Sequence, residues 1–284
     1  MNNFEQYEFD RLGYLVIKNM LTPGEVRSLS RTVDALEEHA AARVALPPRK
    51  AFPWGNGDAH RNPERGYHVH GSQKEGSTII VEDFWNFSPE FDVLLNHGKT
   101  MSYISQIVQS RPTINNSELR VRYPLNASGS HMGGPIDHKY RYSFTQGKID
   151  CMMVRMIYFL HDVGADQGPF SVVPATHKTN FKPPYGHNPD NEPGMIGLEV
   201  QAGDAILFTE NLRHGGLTNR SQQTRKTLHV GYGPNWMLSQ NIATMDEAPY
   251  LAAETRARLT PAQIALFEAW PAPKLEMATA GGAN

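Results

Sequence analysis

The sequence predicts a mainly β fold, a jelly roll over about residues 115–235 behind an N-terminal helical layer. Short runs of β-branched and aromatic residues are concentrated in the second half of the chain, and Gly, Pro and Asn turns separate them. Amphipathic helical patterns precede these runs. At 284 residues the chain is long enough for one large domain, so we expect a single domain over residues 1–284.

The N-terminal part, residues 1–114, is predicted to be largely helical. A short apolar run at residues 13–19 predicts a strand, and residues 22–25 have the threonine, proline and glutamate of a capping box. The helix that starts there should end near His39. Residues 45–75 are rich in proline and glycine and predict a long loop. Helical spacing returns at residues 89–110.

The jelly-roll prediction depends on six short segments with the period of a β-strand or the apolar run of a buried strand. These are residues 119–123, 151–160, 170–173, 196–200, 205–209 and 227–232. Beyond them, Thr260 and Gln263 bracket a proline as at the start of a helix, which predicts a C-terminal helix over about residues 260–270.

Composition excludes several classes of partner. A formal net charge of -2 gives no broad positive field for nucleic acid or anionic membranes, so a small-molecule substrate is expected. No apolar run reaches the length of a membrane helix, and the N-terminus has no signal-peptide pattern. The single cysteine, Cys151, fits a reducing compartment, and we expect a cytoplasmic protein. The sequence does not indicate an oligomeric state.

The strongest local signal for chemistry is a histidine placed just after a buried strand, with an arginine at the start of the next strand. These residues are His214 and Arg225, and Gly203-Asp204 opens the strand before the histidine. A neutral imidazole can bind a metal, and a guanidinium can bind a carboxylate beside it with two parallel hydrogen bonds. The period of a strand places Thr227 on the same face as Arg225, where its hydroxyl would reach the same carboxylate.

Together these features resemble the phytanoyl-CoA dioxygenase-like branch of the Fe(II)/2-oxoglutarate oxygenases. The similar parts are residues 9–17 and 168–178, the Gly203-Asp204 turn, His214 and Arg225. The resemblance implies a double-stranded β-helix that uses Fe(II), 2-oxoglutarate and O2. It also implies that His214 is the distal iron ligand and that Arg225 binds the C5 carboxylate of 2-oxoglutarate. By the same resemblance His177 is structural, although Ala175 replaces the usual glycine.

The chain departs from the family pattern at the proximal ligands, where the family has His-x-Asp. The best match is His131-Met-Gly133, which supplies the histidine and puts glycine in the carboxylate position; His138 is a second candidate. Halogenases of this superfamily have Gly or Ala there and bind chloride in the vacant position. Alternatively Asp137 or Glu210 supplies the carboxylate of an ordinary hydroxylase, or water fills the position. Hydroxylation is the favoured outcome, and halogenation with Gly133 as the vacant position is the alternative.

Candidate substrate-binding residues are Arg155, a charge inside an apolar strand, and the aromatic Trp54 and Tyr67 in the predicted loop. Arg120 and Arg122 are either directed into the cavity to bind an anion, or solvent-facing or ion-paired. A rival hypothesis from another class is a cupin-like binding protein without turnover. An arginine clamp for a dicarboxylate distinguishes the two, because a binding barrel has no need for one.

Overall fold

Two antiparallel β-sheets form the centre of the molecule, whose fold we describe from a computed structural model covering residues 1–52, 57–133, 140–237 and 249–268. The larger sheet has nine strands and the smaller has four, and a two-stranded hairpin lies apart from both. Apolar side chains of the two sheets pack into one buried cluster, which includes Phe159 and Phe208 from the larger sheet and Phe170 from the smaller. This arrangement confirms the predicted jelly-roll class.

Fifteen strands lie within the described ranges. In chain order they are β1 (Tyr14–Ile17), β2 (Arg49–Ala51), β3 (Asp58–Arg61), β4 (His68–Gly71), β5 (Thr78–Glu82), β6 (Pro112–Arg122), β7 (Ser128–His131), β8 (Tyr142–Thr145), β9 (Lys148–Cys151), β10 (Val154–Phe159), β11 (Phe170–Val173), β12 (Ile196–Leu198), β13 (Ala205–Thr209), β14 (Arg213–Gly216) and β15 (Arg225–Pro234). The larger sheet has the order β1-β13-β10-β15-β6-β5-β4-β3-β2, the smaller β12-β11-β14-β7, and β8 pairs with β9.

Helices cover the outer side of the larger sheet. The α-helices of the described residues are α1 (Asn3–Leu12), α2 (Pro23–Ala41), α3 (Gly98–Ile107), α4 (Ala253–Arg258) and α5 (Pro261–Ile264). The predicted capping box of α2 is present: the Thr22 hydroxyl accepts from the Glu25 amide, and the Glu25 carboxylate accepts from the Thr22 amide at 2.7 Å. Leu29, Val33 and Leu36 of α2 are fully buried against the sheet. The predicted helical layer is therefore confirmed.

The interpretation of residues 45–75 as a long loop is wrong. This segment contains β2, β3 and β4, which continue the larger sheet outward from β5. Each of these strands is three or four residues long, too short for a periodic pattern to stand out among prolines and glycines. They are held by hydrogen bonds to the next strand, so pairing with the existing sheet overrides the local composition.

Helix α1 was also missing from the prediction. It begins with a capping box between Asn2 and Glu5 and ends at Gly13 with a left-handed φ of 83°. The C-terminal helix predicted near residues 260–270 is present as α5 followed by a short 3-10 turn to Phe267. None of the helices in the described parts of the chain combines the length and apolar character needed to cross a bilayer.

The turn at Gly203-Asp204 fixes the start of β13, the strand that leads to the predicted metal-binding histidine. Gly203 has a φ of 90°, and a Cβ there would lie 3.0 Å from the Leu21 carbonyl oxygen. The Asp204 carboxylate accepts from Lys18 Nζ at 2.7 Å and from the Gln201 amide at 2.9 Å. Burial would raise the pKa of Asp204, but Lys18 and the backbone amides lower it below its ordinary value.

Asp204→Asn is expected to lower the free energy of unfolding by about 1–3 kcal/mol at pH 7, because charge-assisted hydrogen bonds are lost. The folded-state pKa of Asp204 lies below the unfolded value of about 3.9. The carboxylate therefore stabilises the fold above that value, and its contribution disappears as the pH falls through the folded-state pKa. Urea unfolding at pH 7 and pH 3 measures the difference. Asp34→Asn, at an exposed carboxylate, is the control; equal losses at both pH values for Asp204→Asn would contradict the assignment.

Candidate active site

Two histidines lie opposite each other on neighbouring strands of the smaller sheet. His131 at the end of β7 pairs in register with His214 on β14, and their ring centroids are 4.2 Å apart. In each ring Nδ1 contacts a main-chain carbonyl, that of Gly129 at 2.9 Å and that of Leu212 at 2.7 Å. Because a carbonyl only accepts, both Nδ1 atoms carry the hydrogen, which leaves both Nε2 lone pairs free to bind a metal ion.

The surroundings keep both imidazoles neutral. Burial lowers the pKa of His131, and burial together with the neighbouring His131 holds the pKa of His214 well below its ordinary value. Phe208 packs on the His214 ring with a centroid separation of 4.7 Å. A neutral histidine is the form that binds metal, so the pair needs no deprotonation at neutral pH.

Both histidines line a cavity of about 200 Å³ between the two sheets. One wall is apolar and is formed by Ile80, Ile157, Phe159, Phe170 and Phe208. The remaining wall is charged, with Arg120, Arg122, Arg155, Glu210 and Arg225. Sequence reasoning missed the apolar wall, because its residues come from four different strands and only the assembled sheets bring them together.

Arg225 starts β15 and is directed into this cavity. Its side chain is buried, Nη1 donates to the Gly168 carbonyl, and Nε has no hydrogen-bond partner. Burial and the nearby Arg120 cation lower the pKa of Arg225 to about 9. A buried guanidinium with free donors fits the carboxylate expected beside the metal. Thr227 lines the same cavity, and its hydroxyl is hydrogen-bonded to His229 Nε2 at 2.9 Å.

Arg155 lines the cavity from β10 and joins two buried carboxylates. Its Nε donates to Glu210 Oε1 at 2.5 Å and its Nη1 to Glu118 Oε1 at 3.2 Å. Burial would lower the pKa of Arg155, but Glu210 and Glu118 raise it above its ordinary value. Burial would likewise raise the pKa of Glu118, yet Arg120 and Arg155 hold it well below its ordinary value. The predicted partner for the charge inside this apolar strand is therefore a pair of glutamates.

The position that holds the carboxylate in the family pattern is Gly133, which has a φ of 72° and donates its N–H to the Glu210 carbonyl. In the described residues, no three His, Cys, Asp or Glu side chains are grouped to hold a metal ion. The carboxylate of Glu210 lies close to one of the histidines, with Oε2 3.8 Å from His214 Nε2. Asp137 and His138, the other ligands considered, lie outside the described residues.

Two further sequence predictions concerned substrate contacts and a turn. Tyr67 does not line the cavity, since it is fully buried among His39 and Phe87 and accepts a hydrogen bond from Asn62. The substrate-binding prediction is wrong for Tyr67, because the strands β3 and β4 turn this ring into the core. Trp54 lies outside the described residues. His177 packs away from the cavity with Nε2 3.0 Å from the Asp10 carbonyl oxygen.

Glu118, Arg120 and Arg122 lie on β6; the sequence left the direction of the two arginines open and gave no indication of a role for Glu118. They alternate along β6 and pair in register with His229, Thr227 and Arg225 of β15, so all six share one face of the sheet. The alternation of charged residues in this strand was the available signal. Its direction toward the cavity depended on the register with β15, which the sequence does not show.

The residues present fit a divalent metal ion and a carboxylate-bearing cosubstrate. Two neutral imidazoles offer nitrogen ligands on one side and leave coordination positions open, and the same cavity holds a guanidinium whose Nε has no hydrogen-bond partner among the described residues. A jelly roll with this site defines the class of non-haem iron oxygenases that bind a 2-oxoacid.

The chain belongs to the phytanoyl-CoA dioxygenase family: the model of that family, Phytanoyl-CoA dioxygenase (PhyH), matches residues 9–227. The predicted cofactors, Fe(II), 2-oxoglutarate and O2, are those of this family. No curated protein sequence matches the chain.

Solved structures show the same fold. HygX from Streptomyces hygroscopicus, with nickel and 2-oxoglutarate bound, has a TM-score of 0.66 and 19% sequence identity, over 84% of this chain and 89% of that one. The 2-oxoglutarate-dependent epimerase SnoN from nogalamycin biosynthesis has a TM-score of 0.59 and 17% identity, over 87% of each chain. The carbocyclase SnoK from the same biosynthesis has a TM-score of 0.59 and 16% identity, over 92% of each chain.

Proposed function

We propose that this chain catalyses Fe(II)- and 2-oxoglutarate-dependent oxidation of a C–H bond in a small molecule, with hydroxylation as the outcome. The observation that carries the proposal is the pair of neutral imidazoles of His131 and His214, with ring centroids 4.2 Å apart, in one cavity with the guanidinium of Arg225, which has no carboxylate partner among the described residues. Fe(II), 2-oxoglutarate and O2 together supply an oxidant that removes hydrogen from an unactivated C–H bond, with succinate and CO2 as co-products.

The protein side chains bind, orient and exclude water. His131 and His214 hold the metal through Nε2, and the Gly129 and Leu212 carbonyls fix both rings in orientation. Arg225 binds the distal carboxylate of 2-oxoglutarate. The apolar wall limits access of water to the reacting atoms, which protects an oxidising site from side reactions.

A non-catalytic binding protein is disfavoured by the same cavity. Arg225 is buried without a carboxylate partner among the described residues, which a purely structural arginine would need. The proposal treats residues 1–284 as one catalytic domain. Pairing of β1 with β13, and the contact of Trp85 with Phe267 near the end of the described chain, support that treatment.

Succinate formation tests the proposal directly. Purified protein with Fe(II) and 2-oxoglutarate is expected to form succinate in the presence of O2, and to form none without iron or after chelation. HygX has been solved with hygromycin B and SnoN with nogalamycin RO, so these two compounds form a suitable first substrate panel. Mass analysis identifies the product; absence of iron-dependent succinate with and without that panel would refute the enzyme assignment.

Halogenation is a second candidate, favoured by the missing side chain at Gly133. A two-histidine metal site without a protein carboxylate leaves room for an exogenous anion such as chloride. Under this alternative the product made with chloride carries chlorine. Glu210 and Asp137 are the competing sources of a carboxylate, and Glu210 Oε1 already accepts a hydrogen bond from Arg155. A hydroxylated product that does not depend on chloride would exclude halogenation.

Gly133→Asp is expected to tighten Fe(II) binding by about tenfold, the size typical of one supporting group at a metal site. An added carboxylate completes a two-histidine, one-carboxylate ligand set. Fe(II) titration under anaerobic conditions measures the affinity, and any chlorinated product should give way to a hydroxylated one. The matched control is Gly147→Asp, where φ is 76° and a new Cβ meets nothing within 4 Å. Equal affinities for the two variants would place residue 133 away from the metal.

A further inference from the structure

Two buried arginines lie side by side on paired strands that line the cavity. Arg122 of β6 pairs in register with Arg225 of β15, and both line the cavity with 8% and 4% of their surface exposed. Arg122 Nη1 donates to Asn126 Oδ1 at 3.0 Å, and its Nε has no hydrogen-bond partner. Neither guanidinium contacts a carboxylate within the described ranges.

The neighbouring buried arginines differ in this respect. Arg155 is bonded to Glu118 and Glu210, and Arg213 of β14 forms two hydrogen bonds to Glu192 at 2.7 and 3.0 Å. Each of these cations has acidic partners that compensate for its burial. Arg122 and Arg225 therefore differ from Arg155 and Arg213, because neither has a carboxylate partner among the described residues.

Burial of two cations side by side is unfavourable unless an anion joins them. Burial and the nearby Arg225 hold the pKa of Arg122 well below its ordinary value, and burial lowers that of Arg225. Arginine nevertheless stays protonated in proteins, so both shifts reflect the electrostatic cost of uncompensated charge. A bound carboxylate, with two oxygens and about four acceptor positions, is large enough to receive donors from both guanidiniums.

We propose that Arg122 and Arg225 form one site for the distal carboxylate of 2-oxoglutarate, and that Arg122 selects dicarboxylic over monocarboxylic 2-oxoacids. The inference rests on the proposed function, since it assigns a second residue to the cosubstrate. The register between β6 and β15 directs both guanidiniums to the same end of the cavity, so one anionic group meets both. Arg122 is a specificity-determining residue that the family resemblance does not include.

Calorimetric titration of the Co(II)-loaded protein with two ligands tests this assignment. The ligands are 2-oxoglutarate and 2-oxopentanoate, which has the same 2-oxoacid end and no distal carboxylate. Arg122→Met is expected to weaken 2-oxoglutarate binding by about 10- to 100-fold, because charge-assisted hydrogen bonds are lost. Binding of 2-oxopentanoate should stay within about threefold of wild type, and Arg122→Lys should restore part of the lost affinity.

The Tm of the ligand-free protein gives a second readout, because a structural arginine and a ligand-binding arginine predict opposite changes when Arg122 is replaced. Removal of an uncompensated buried cation does not destabilise a fold, so Arg122→Met should keep or raise the Tm without ligand. Arg213→Met, which leaves the Glu192 carboxylate buried and unpaired, should lower it. The increase in Tm on adding 2-oxoglutarate should shrink for Arg122→Met.

The possible failures are distinct. If the wild-type protein binds neither oxoacid, the proposed function fails and this inference fails with it. If the wild type binds 2-oxoglutarate and Arg122→Met binds it equally well, only the role of Arg122 is overturned. Equal weakening of both oxoacids, or a fall in Tm of the size seen for Arg213→Met, would show that Arg122 is structural and would also overturn its role.

Discussion

His214→Ala is expected to abolish Fe(II) binding and to reduce succinate formation by roughly three orders of magnitude, since several kcal/mol of metal-ion stabilisation are lost. The physical reason is the number of nitrogen ligands that the protein offers to the metal ion. His131 and His214 are the two imidazoles that face each other in the cavity, and removal of either leaves one nitrogen ligand. His131→Ala should have an effect of the same size. Anaerobic Fe(II) titration measures binding, and succinate release measures turnover.

A matched control comes from a histidine with a structural contact. His97 precedes α3 and its Nδ1 accepts from the Thr100 amide. His97→Asn keeps an acceptor at that N-cap, so its stability and succinate formation should match the wild type. Iron binding retained by both His131→Ala and His214→Ala would mean that the metal lies elsewhere, and the proposed function would have to be abandoned. If only one of the two variants loses iron binding, that histidine binds the metal together with a residue other than the second histidine.

The features that could be predicted from the sequence are mostly relations between residues within one strand or next to it. His214 follows the buried strand β13, and the strand starting at Arg225 places Thr227 on the same face; both relations are set by the period of a strand. Residues 170–173 and 205–209 were predicted as strands and match β11 and β13. These strands are apolar, buried and bounded by turn residues, so local patterning and tertiary structure agree.

Relations between distant segments could not be predicted. The pairing of His131 with His214 depends on the register of β7 and β14, and β7 is the four-residue strand Ser-Gly-Ser-His, which has no apolar period. The link from Glu118 through Arg155 to Glu210 joins β6, β10 and the turn after β13. Glu118 and Arg155 are charged residues in strands and Glu210 follows a strand, and the sequence leaves the direction of each side chain open until the sheet order is known.

The charge in the cavity connects the fold to the chemistry. Arg120 and Arg155 together balance the charges of Glu118 and Glu210, so these four paired groups add little net charge to the cavity. Arg122 and Arg225 have no carboxylate partner among the described residues, and an anionic cosubstrate is the ligand that such a pair favours. The burial of two neighbouring cations is unfavourable while the site is empty, and the same two cations attract the anionic cosubstrate.

Arg225→Met is expected to raise the KM for 2-oxoglutarate by up to about 100-fold, because a charge-assisted bidentate contact is worth up to about 3 kcal/mol. The kcat at saturating cosubstrate should fall much less, since the distal carboxylate is remote from the reacting atoms. Arg225→Lys should recover only part of the loss, because an ammonium does not reproduce the planar fork. Steady-state succinate formation over a range of 2-oxoglutarate concentrations measures both constants.

Arg220→Met is the control for this prediction, because Arg220 precedes the same strand, is exposed and forms only a long contact of 3.4 Å to Asp190. Its KM should equal that of the wild type. A KM that stays unchanged in Arg225→Met would assign the cosubstrate carboxylate to Arg122 alone. A kcat that falls as far as kcat/KM would instead mean that Arg225 acts on the transition state, which a residue bound to the far end of the cosubstrate does not do.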